Sequence, residues 1–181
     1  MATELQLDAQ TLHEAIDRLA NALGQRYRHT GSLLLLGIAN GGVVLAQRLA
    51  SRLRMNAGTI DISFHRDDIG RNPIPKEFAP TFIPTDVNGA SVVLVDDVLH
   101  SGRTVKAALD ELFDHGRPER VELAILIDRA GRRLPVAPTY CGLTVNAGDD
   151  QKVVVHLDPS DPDKDFLRIE PTAAPNLKSK I

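Results

Sequence analysis

The sequence predicts an α/β protein with a doubly wound, mostly parallel sheet, flanking helices and a small hood near the C-terminal strands. Mostly apolar stretches of strand length occupy residues 32–38, 92–95 and 121–127, and such stretches without regular alternation are typical of strands buried on both faces of a parallel sheet. The first two runs lead through glycine-containing turns into amphipathic segments. This strand–turn–helix order is the first half of a βαβ crossover.

The composition is that of a globular protein of the cytoplasm. The 181 residues are 43% hydrophobic and 25% charged, enough for a substantial core in one domain. No apolar run approaches the roughly 20 residues that cross a bilayer, so we expect no membrane partner. Cys141 is the only cysteine, which excludes an intramolecular disulfide and fits a reducing compartment. We expect a single domain over residues 1–170 and a flexible, proline-bearing tail over residues 171–181.

Helices are predicted where apolar residues recur at helical spacing. Asp8 is expected to cap a helix over residues 9–28, a second helix should run to about Leu53, and a third should begin near Arg103. Further strands are predicted over residues 59–64, 140–145 and 153–157.

The stretch over residues 92–105 carries the strongest functional pattern. Asp96 and Asp97 follow a buried strand, and a short loop then leads through Ser101 and Gly102 to a helix. Ligands of open α/β sheets lie outside the carboxyl ends of the strands, and a helix N-terminus placed there suits a phosphate. Ser101, Thr104 and the Gly102 backbone could hold a phosphate while the carboxylates hold sugar hydroxyls. The alternative is two solvated acids at a strand end.

A second candidate loop comprises Ala39, Asn40, Gly41 and Gly42. Its glycines do not match the dinucleotide pattern Gly-x-Gly-x-x-Gly, which argues against a nicotinamide site. Glycines here allow backbone N–H groups to approach an anion closely. From the residues alone, a plain tight turn and a phosphate loop are equally good interpretations.

The segment VLVDDVLHSGRTV, followed by a helix and then GRP, resembles the phosphoribosyl pyrophosphate (PRPP) loop of type I phosphoribosyltransferases and, more narrowly, the PyrR family. Members of that family are pyrimidine operon attenuation regulators with uracil phosphoribosyltransferase activity. The resemblance implies an enzyme of the cytoplasm that makes uridine monophosphate (UMP) and pyrophosphate from uracil and PRPP. It also implies a homodimer or homotetramer.

The resemblance assigns roles to the candidate residues. It implies that Asp96 and Asp97 hold the ribose and, directly or through water, a Mg²⁺ ion. The 5′-phosphate would be bound by His100, Ser101, Gly102, Arg103 and Thr104. The pyrophosphate would be received by Ala39, Asn40, Gly41 and Gly42, and the base would lie beside Asp128 and Arg129.

A proline-rich segment over residues 67–85 has the length and composition of an active-site lid. The preceding residues resemble the start of the family's catalytic loop, which implies that Arg66, together with Arg71 and Lys76, meets the departing pyrophosphate. We expect this segment to be the most mobile internal part of the ligand-free protein. His100 could also shuttle a proton near the base.

The sequence departs from the family pattern in the first loop. Asn40-Gly41-Gly42 stands where a Thr-Arg-Gly ending is usual, so pyrophosphate binding must rely on backbone amides and on cations from elsewhere. Arg133 replaces the usual acid before Leu134-Pro135.

An alternative function is an RNA-binding regulator that senses UMP, UTP or PRPP in the same pocket. RNA binding needs clustered cations. Residues 117–133 hold five arginines against Glu119, Glu122 and Asp128, and the whole chain has a net charge of −3. That excess is small, so the sequence favours the enzyme.

Overall fold

The computed structural model describes residues 6–29, 32–63 and 80–172. In chain order the elements are β1 (Gln6–Leu7), α1 (Ala9–Arg26), β2 (Leu33–Ile38), α2 (Gly41–Leu53), β3 (Ala57–Ile60), β4 (Ser91–Leu99), α3 (Arg103–Asp114), β5 (Arg120–Arg129), β6 (Tyr140–Val145), β7 (Gln151–His156), a 3-10 helix (Pro162–Lys164) and β8 (Phe166–Pro171). None of the helices in these ranges is both long and apolar enough to cross a bilayer.

Five strands form a parallel sheet in the order β3-β2-β4-β5-β6. The run predicted at residues 92–95 belongs to β4, the middle strand, and Val92 to Val95 are all buried. β4 continues to Leu99, so Asp96 and Asp97 lie within its carboxyl-terminal half rather than in the loop that follows. The predicted doubly wound α/β fold is confirmed.

Both faces of the sheet are covered because successive side chains of a strand point to opposite faces. Val93 and Val95 pack in one apolar cluster with α1 and α2, whereas Val92 and Leu94 pack in a second cluster with α3. Asp8 caps α1 as predicted, since its carboxylate accepts the Thr11 N–H at 3.0 Å. α1 ends two residues earlier than the predicted Arg28.

A second, antiparallel sheet in the order β1-β8-β7 forms the hood. β1 and β8 were not predicted, and Pro171, the expected first residue of the tail, is the last residue of β8. The backbone N–H of Thr172 still donates to Asp150 O at 2.6 Å. The rest of the predicted tail lies outside the described residues.

The strand predicted over residues 59–64 is wrong in its bounds. β3 covers Ala57–Ile60, and after it the Asp61 carboxylate accepts the N–H and the hydroxyl of Ser63 at 2.9 and 2.6 Å, which turns the chain out of the sheet. Most of the predicted lid lies outside the described residues. Its end is described, and there Phe82 pairs with Thr59 through two backbone hydrogen bonds of 2.8 Å.

Asp165 joins the hood to both helices of one face. Its side chain is fully buried, and it forms a two-point ion pair with Arg48 of α2. It also accepts the Asp158 N–H at 2.8 Å and lies 3.2 Å from His13 Nε2 of α1. A buried carboxylate needs partners of this kind because an unpaired charge in the interior is strongly unfavourable.

We expect Asp165→Ala to lower the free energy of unfolding by about 3–5 kcal/mol, because it leaves Arg48, whose side chain is only 13% exposed, without its counter-ion. Urea unfolding measures this loss. Asp163→Ala is the matched control, since Asp163 is exposed two residues away. Equal losses in the two variants would contradict a structural role for the buried pair.

Glu122 of β5 holds the end of α1 against β6. The hydroxyls of Tyr27 and Tyr140 donate to its Oε2 atom at 2.6 and 2.7 Å. Burial, then the hydrogen bond to Glu122, raises the pKa of both tyrosines, for Tyr140 to about 12. Burial opposes ionisation of Glu122, but the two hydroxyl donors lower its pKa overall.

The tyrosine contribution to stability should therefore vanish at high pH. A raised folded-state pKa stabilises the protein fully below the unfolded value of about 10, and the contribution is lost as pH rises through the folded value. We expect Tyr140→Phe to lower the free energy of unfolding by about 1 kcal/mol at pH 8. The difference from the wild type should shrink between about pH 10 and pH 12.

The chain has only two tyrosines, so Tyr27→Phe/Tyr140→Phe removes all phenol titration and serves as the control. Urea unfolding across this pH range gives the comparison. A wild type and double variant that lose stability in parallel would show that the phenols do not stabilise the fold.

Candidate active site

The site is organised by two carboxylates at the end of the middle strand. Asp96 is 5% exposed and is one of four buried polar or charged residues in the described part of the chain. Its Oδ1 accepts the Asp97 N–H at 3.0 Å, and Asp97 Oδ1 accepts the Val98 N–H at 2.7 Å. The structure therefore rejects the alternative of two solvated acids.

Burial raises the pKa of both carboxyls, and the charge of Asp97 raises that of Asp96 further. Two adjacent anions in a low-dielectric site disfavour each other's ionisation. A positively charged ligand or transition state that approaches them would relieve this repulsion.

The N-terminus of α2 approaches the same carboxylates closely. A Cβ atom on Gly41 would lie 2.4 Å from Asp97 Oδ2, and one on Gly42 would lie 2.1 Å from Val95 O. Glycine at both positions lets the helix begin directly beside β4, where its first N–H groups and its positive dipole end face the acids. The preceding Ala39–Asn40 peptide bond is cis.

A second helix N-terminus faces the site from the other side of the sheet. α3 begins at Arg103 after Gly102, which has a φ of +88°, a conformation that favours glycine. Ser101 Oγ accepts the Arg103 N–H at 3.3 Å. The amide N–H groups of Ser101 and Gly102 donate to no group of the described chain, which leaves them for an anion.

These elements enclose a cavity of about 390 Å³. It is lined by residues from both loops, the strand end and α3: Ala39, Asn40, Gly41, Ile62, Asp96, Asp97, Val98, Ser101, Arg103 and Thr104. The structure thus brings the two predicted phosphate loops and the acidic pair to one cavity.

Beside the cavity, the loop after β5 is attached to the loop after β4 by Arg132. Its Nη1 donates to the carbonyls of Leu99, His100 and Arg129 at 3.1, 2.9 and 2.8 Å. Its Nε donates to Val136 O at 3.2 Å, and its Nη2 pairs with the Asp128 carboxylate.

His100 points toward this second loop. Its Nδ1 lies 3.5 Å from Arg129 Nη1, so the imidazole is an acceptor there. Burial, followed by the charges of Arg129, Arg133 and Arg132, lowers the pKa of His100. Burial and the three guanidinium charges therefore disfavour the protonated form of His100, and its role as a proton shuttle stays a prediction.

Arg129 is 7% exposed, and its Nε has no hydrogen-bond partner among the residues that the structure describes. Its Nη2 donates to Gly148 O at 2.9 Å.

Five predicted site residues lie outside the cavity lining: Gly42, His100, Gly102, Asp128 and Arg129. Gly42 and Gly102 position the helix starts, whereas Asp128 contacts Arg132 and His100 contacts Arg129, the last residue of β5. Arg66, Arg71 and Lys76 lie outside the described residues. Arg132 was not predicted, because the sequence does not distinguish it from the other four arginines of residues 117–133.

Comparison with known proteins agrees with this geometry. The model of the phosphoribosyl transferase domain family matches residues 7–160. The bifunctional protein PyrR of Synechococcus sp. (strain JA-2-3B'a(2-13)) is 43% identical over 176 residues, which cover 92% of this chain and 94% of that protein. The bifunctional protein PyrR of Bacillus subtilis (strain 168) is 38% identical over 163 residues, which cover 86% of this chain and 90% of that protein.

Among solved structures, a hypoxanthine phosphoribosyltransferase of Trypanosoma cruzi superposes with a TM-score of 0.70 at 19% identity, over 96% of this chain and 98% of that one. At that identity the likeness shows the fold alone. The family match and the PyrR relatives span almost the whole chain, so the predicted resemblance is confirmed: this chain belongs to the PyrR family of the type I phosphoribosyltransferase superfamily.

Proposed function

We propose that the protein transfers the ribosyl phosphate group of PRPP to uracil, giving UMP and pyrophosphate. One observation carries the proposal: the buried Asp96 and the half-buried Asp97 face the same cavity as the N-termini of α2 and α3. A substrate with two phosphate groups joined by a sugar fits this arrangement, because anions suit the helix ends and the hydroxyls of the sugar suit carboxylates.

In the proposed reaction, N1 of uracil bonds to C1 of the ribose as the bond from C1 to the pyrophosphate oxygen breaks. The bonding electron pair leaves with pyrophosphate, and the N1 proton passes to solvent. The ribose acquires cationic character on the way. The proposal assigns the stabilisation of that charge to Asp96 and Asp97, since fixed charges aimed at a developing ion contribute strongly to catalysis.

The departing pyrophosphate needs positive charge or N–H donors. The proposal assigns this role to the backbone of Asn40, Gly41 and Gly42 at the start of α2, and to Arg66 with Arg71 and Lys76. Arg103 lines the cavity beside Ser101 and Thr104, and these residues would bind the 5′-phosphate.

The carboxylate oxygens of Asp96 and Asp97 are the donors that Mg²⁺ prefers, and their raised pKa values mean that a cation would ease their ionisation. They would hold Mg²⁺ directly or through water. When bound, the ion would neutralise pyrophosphate charge.

An RNA-binding regulator remains the alternative, because the relatives are named bifunctional. Four of the five arginines over residues 117–133 already use their guanidinium groups inside the described chain: Arg117, Arg120, Arg129 and Arg132. That segment therefore offers RNA fewer free cations than its sequence suggests. A salt-dependent mobility shift with RNA is the observation that would favour the regulator.

The proposed function is tested by turnover with PRPP, Mg²⁺ and a panel of bases. We expect UMP formation from uracil at a higher kcat/KM than product formation from cytosine, hypoxanthine or guanine. Chromatographic detection of the nucleotide product identifies the base used. Preference for a purine would overturn the proposed base while leaving the phosphoribosyl transfer in place.

We expect Asp97→Asn to lower kcat by about 10²–10³-fold, because it removes one charge that stabilises the developing cation. The melting temperature should change little by comparison, since the variant keeps the volume of the side chain. Asp110→Asn, on the exposed surface of α3, is the matched control. Parallel loss of folding and activity in Asp97→Asn would point to a structural role instead.

A further inference from the structure

The strongest unassigned feature is the guanidinium of Arg132. It makes five polar contacts, four of them to backbone carbonyls of two separate segments. Its side chain is 24% exposed, and it is not among the residues that line the cavity. Its hydrogen bonds are thus made to groups of the chain itself rather than to a ligand.

The contacts of Arg132 hold one side of the phosphate loop, residues 99–102. The carbonyls of Leu99 and His100 accept from Arg132, and the carbonyl of Ser101 accepts the N–H groups of Arg133 and Leu134, each at 3.1 Å. Three consecutive carbonyls therefore point to the loop after β5. Leu134 packs beside Gly102, where an added Cβ would lie 3.2 Å from the Leu134 Cβ.

Trans-peptide geometry fixes where the N–H groups of this loop point. In a trans peptide the N–H of one residue points opposite to the C=O of the residue before it. When the carbonyls of Leu99, His100 and Ser101 face Arg132 and its neighbours, the N–H groups of His100, Ser101 and Gly102 face away from them. Successive N–H groups directed to one side form a concave anion-binding surface.

We propose that Arg132 is a positioning residue for the 5′-phosphate: it holds the carbonyls of residues 99 and 100 so that the following N–H groups are presented to the phosphate. Arg132 itself touches no substrate. The inference rests on the proposed function only for the identity of the ligand, a sugar 5-phosphate. Base choice does not enter it.

Ribose 5-phosphate is the probe because it carries the phosphate and the sugar but no base. We expect Arg132→Ala to raise its dissociation constant by roughly 10- to 100-fold, as for loss of a hydrogen bond to a charged group, in calorimetric titration well below the melting temperature. In turnover assays the KM for PRPP should rise more than kcat falls. Added guanidinium ion at millimolar concentration should restore part of the affinity.

Arg133→Ala is the matched control. Arg133 is the adjacent exposed arginine, and its loop contact is made by the backbone N–H, which the substitution keeps. It removes the same charge near the site, so we expect at most a few-fold change in affinity. Equal effects of the two variants would mean that charge, not positioning, matters, and would overturn the inference.

Arg132→Lys covers the case in which Arg132→Ala does not fold. Lysine keeps the charge but lacks the planar fork that reaches several carbonyls, so it should also bind ribose 5-phosphate more weakly. Wild-type affinity in Arg132→Lys would overturn the inference, as would a wild type that does not bind ribose 5-phosphate.

The two proposals fail separately. If the wild type turns over uracil but Arg132→Ala binds ribose 5-phosphate normally, the proposed function stands and the positioning role is wrong. If Arg132→Ala binds ribose 5-phosphate more weakly but the wild type does not turn over uracil, the positioning role stands and the proposed base is wrong.

Discussion

Two adjacent carboxylates near the carboxyl end of β4, Asp96 buried and Asp97 half-buried, impose the constraint on which the site depends. Removing such groups from water is unfavourable unless hydrogen bonds or opposite charge compensate. Here the nearest compensation is backbone: the N–H groups of Asp97 and Val98, and the start of α2 beside Gly41. This compensation is incomplete, because the pKa values of both carboxyls are still raised. A cationic species in the cavity would supply the missing opposite charge.

The glycines follow from the same constraint. Side chains at residues 41 and 42 would occupy the positions of the Asp97 carboxylate and the Val95 carbonyl, so the helix could not begin where its dipole faces the acids. On the other side of the sheet, Gly102 allows the turn into α3 and leaves room for Leu134. A side chain at one of these glycines would therefore disturb both the candidate site and the packing of a helix against the sheet.

Much of this arrangement could be predicted because it is local in the sequence. β2, β4 and β5 each contain an apolar stretch, and Asp96 and Asp97 directly follow the one in β4, with Ser101 a few residues later. β8 was missed because its alternation, with Leu167 and Ile169 buried, spans only six residues and ends in Pro171. The start of β3 was missed because Ala57 and Gly58 have low strand propensity. Its end was placed too late because the polar residues Asp61 and Ser63 alternate with apolar ones as in a strand, whereas they hydrogen-bond to each other.

Arg132 could not have been identified from the sequence, since its partners come from the end of β4 and the residue after it, from the end of β5 and from Val136. Its environment is a property of the folded chain. The same holds for the lowered pKa of His100, which depends on burial and on three arginines that are 29 to 33 residues away in the sequence.

The pairing of β1 with β8 has a consequence for how the molecule assembles. Gln6 lies opposite Arg168, so the hood joins the first and last described strands across almost the whole chain. Contacts so distant in sequence close a very large loop. The chain entropy that is lost on closing this loop must be offset by structure already formed. During synthesis the parallel sheet can collect its strands one after another, whereas β1 must wait for β8 to leave the ribosome. We expect the hood to be the last part of the described chain to order.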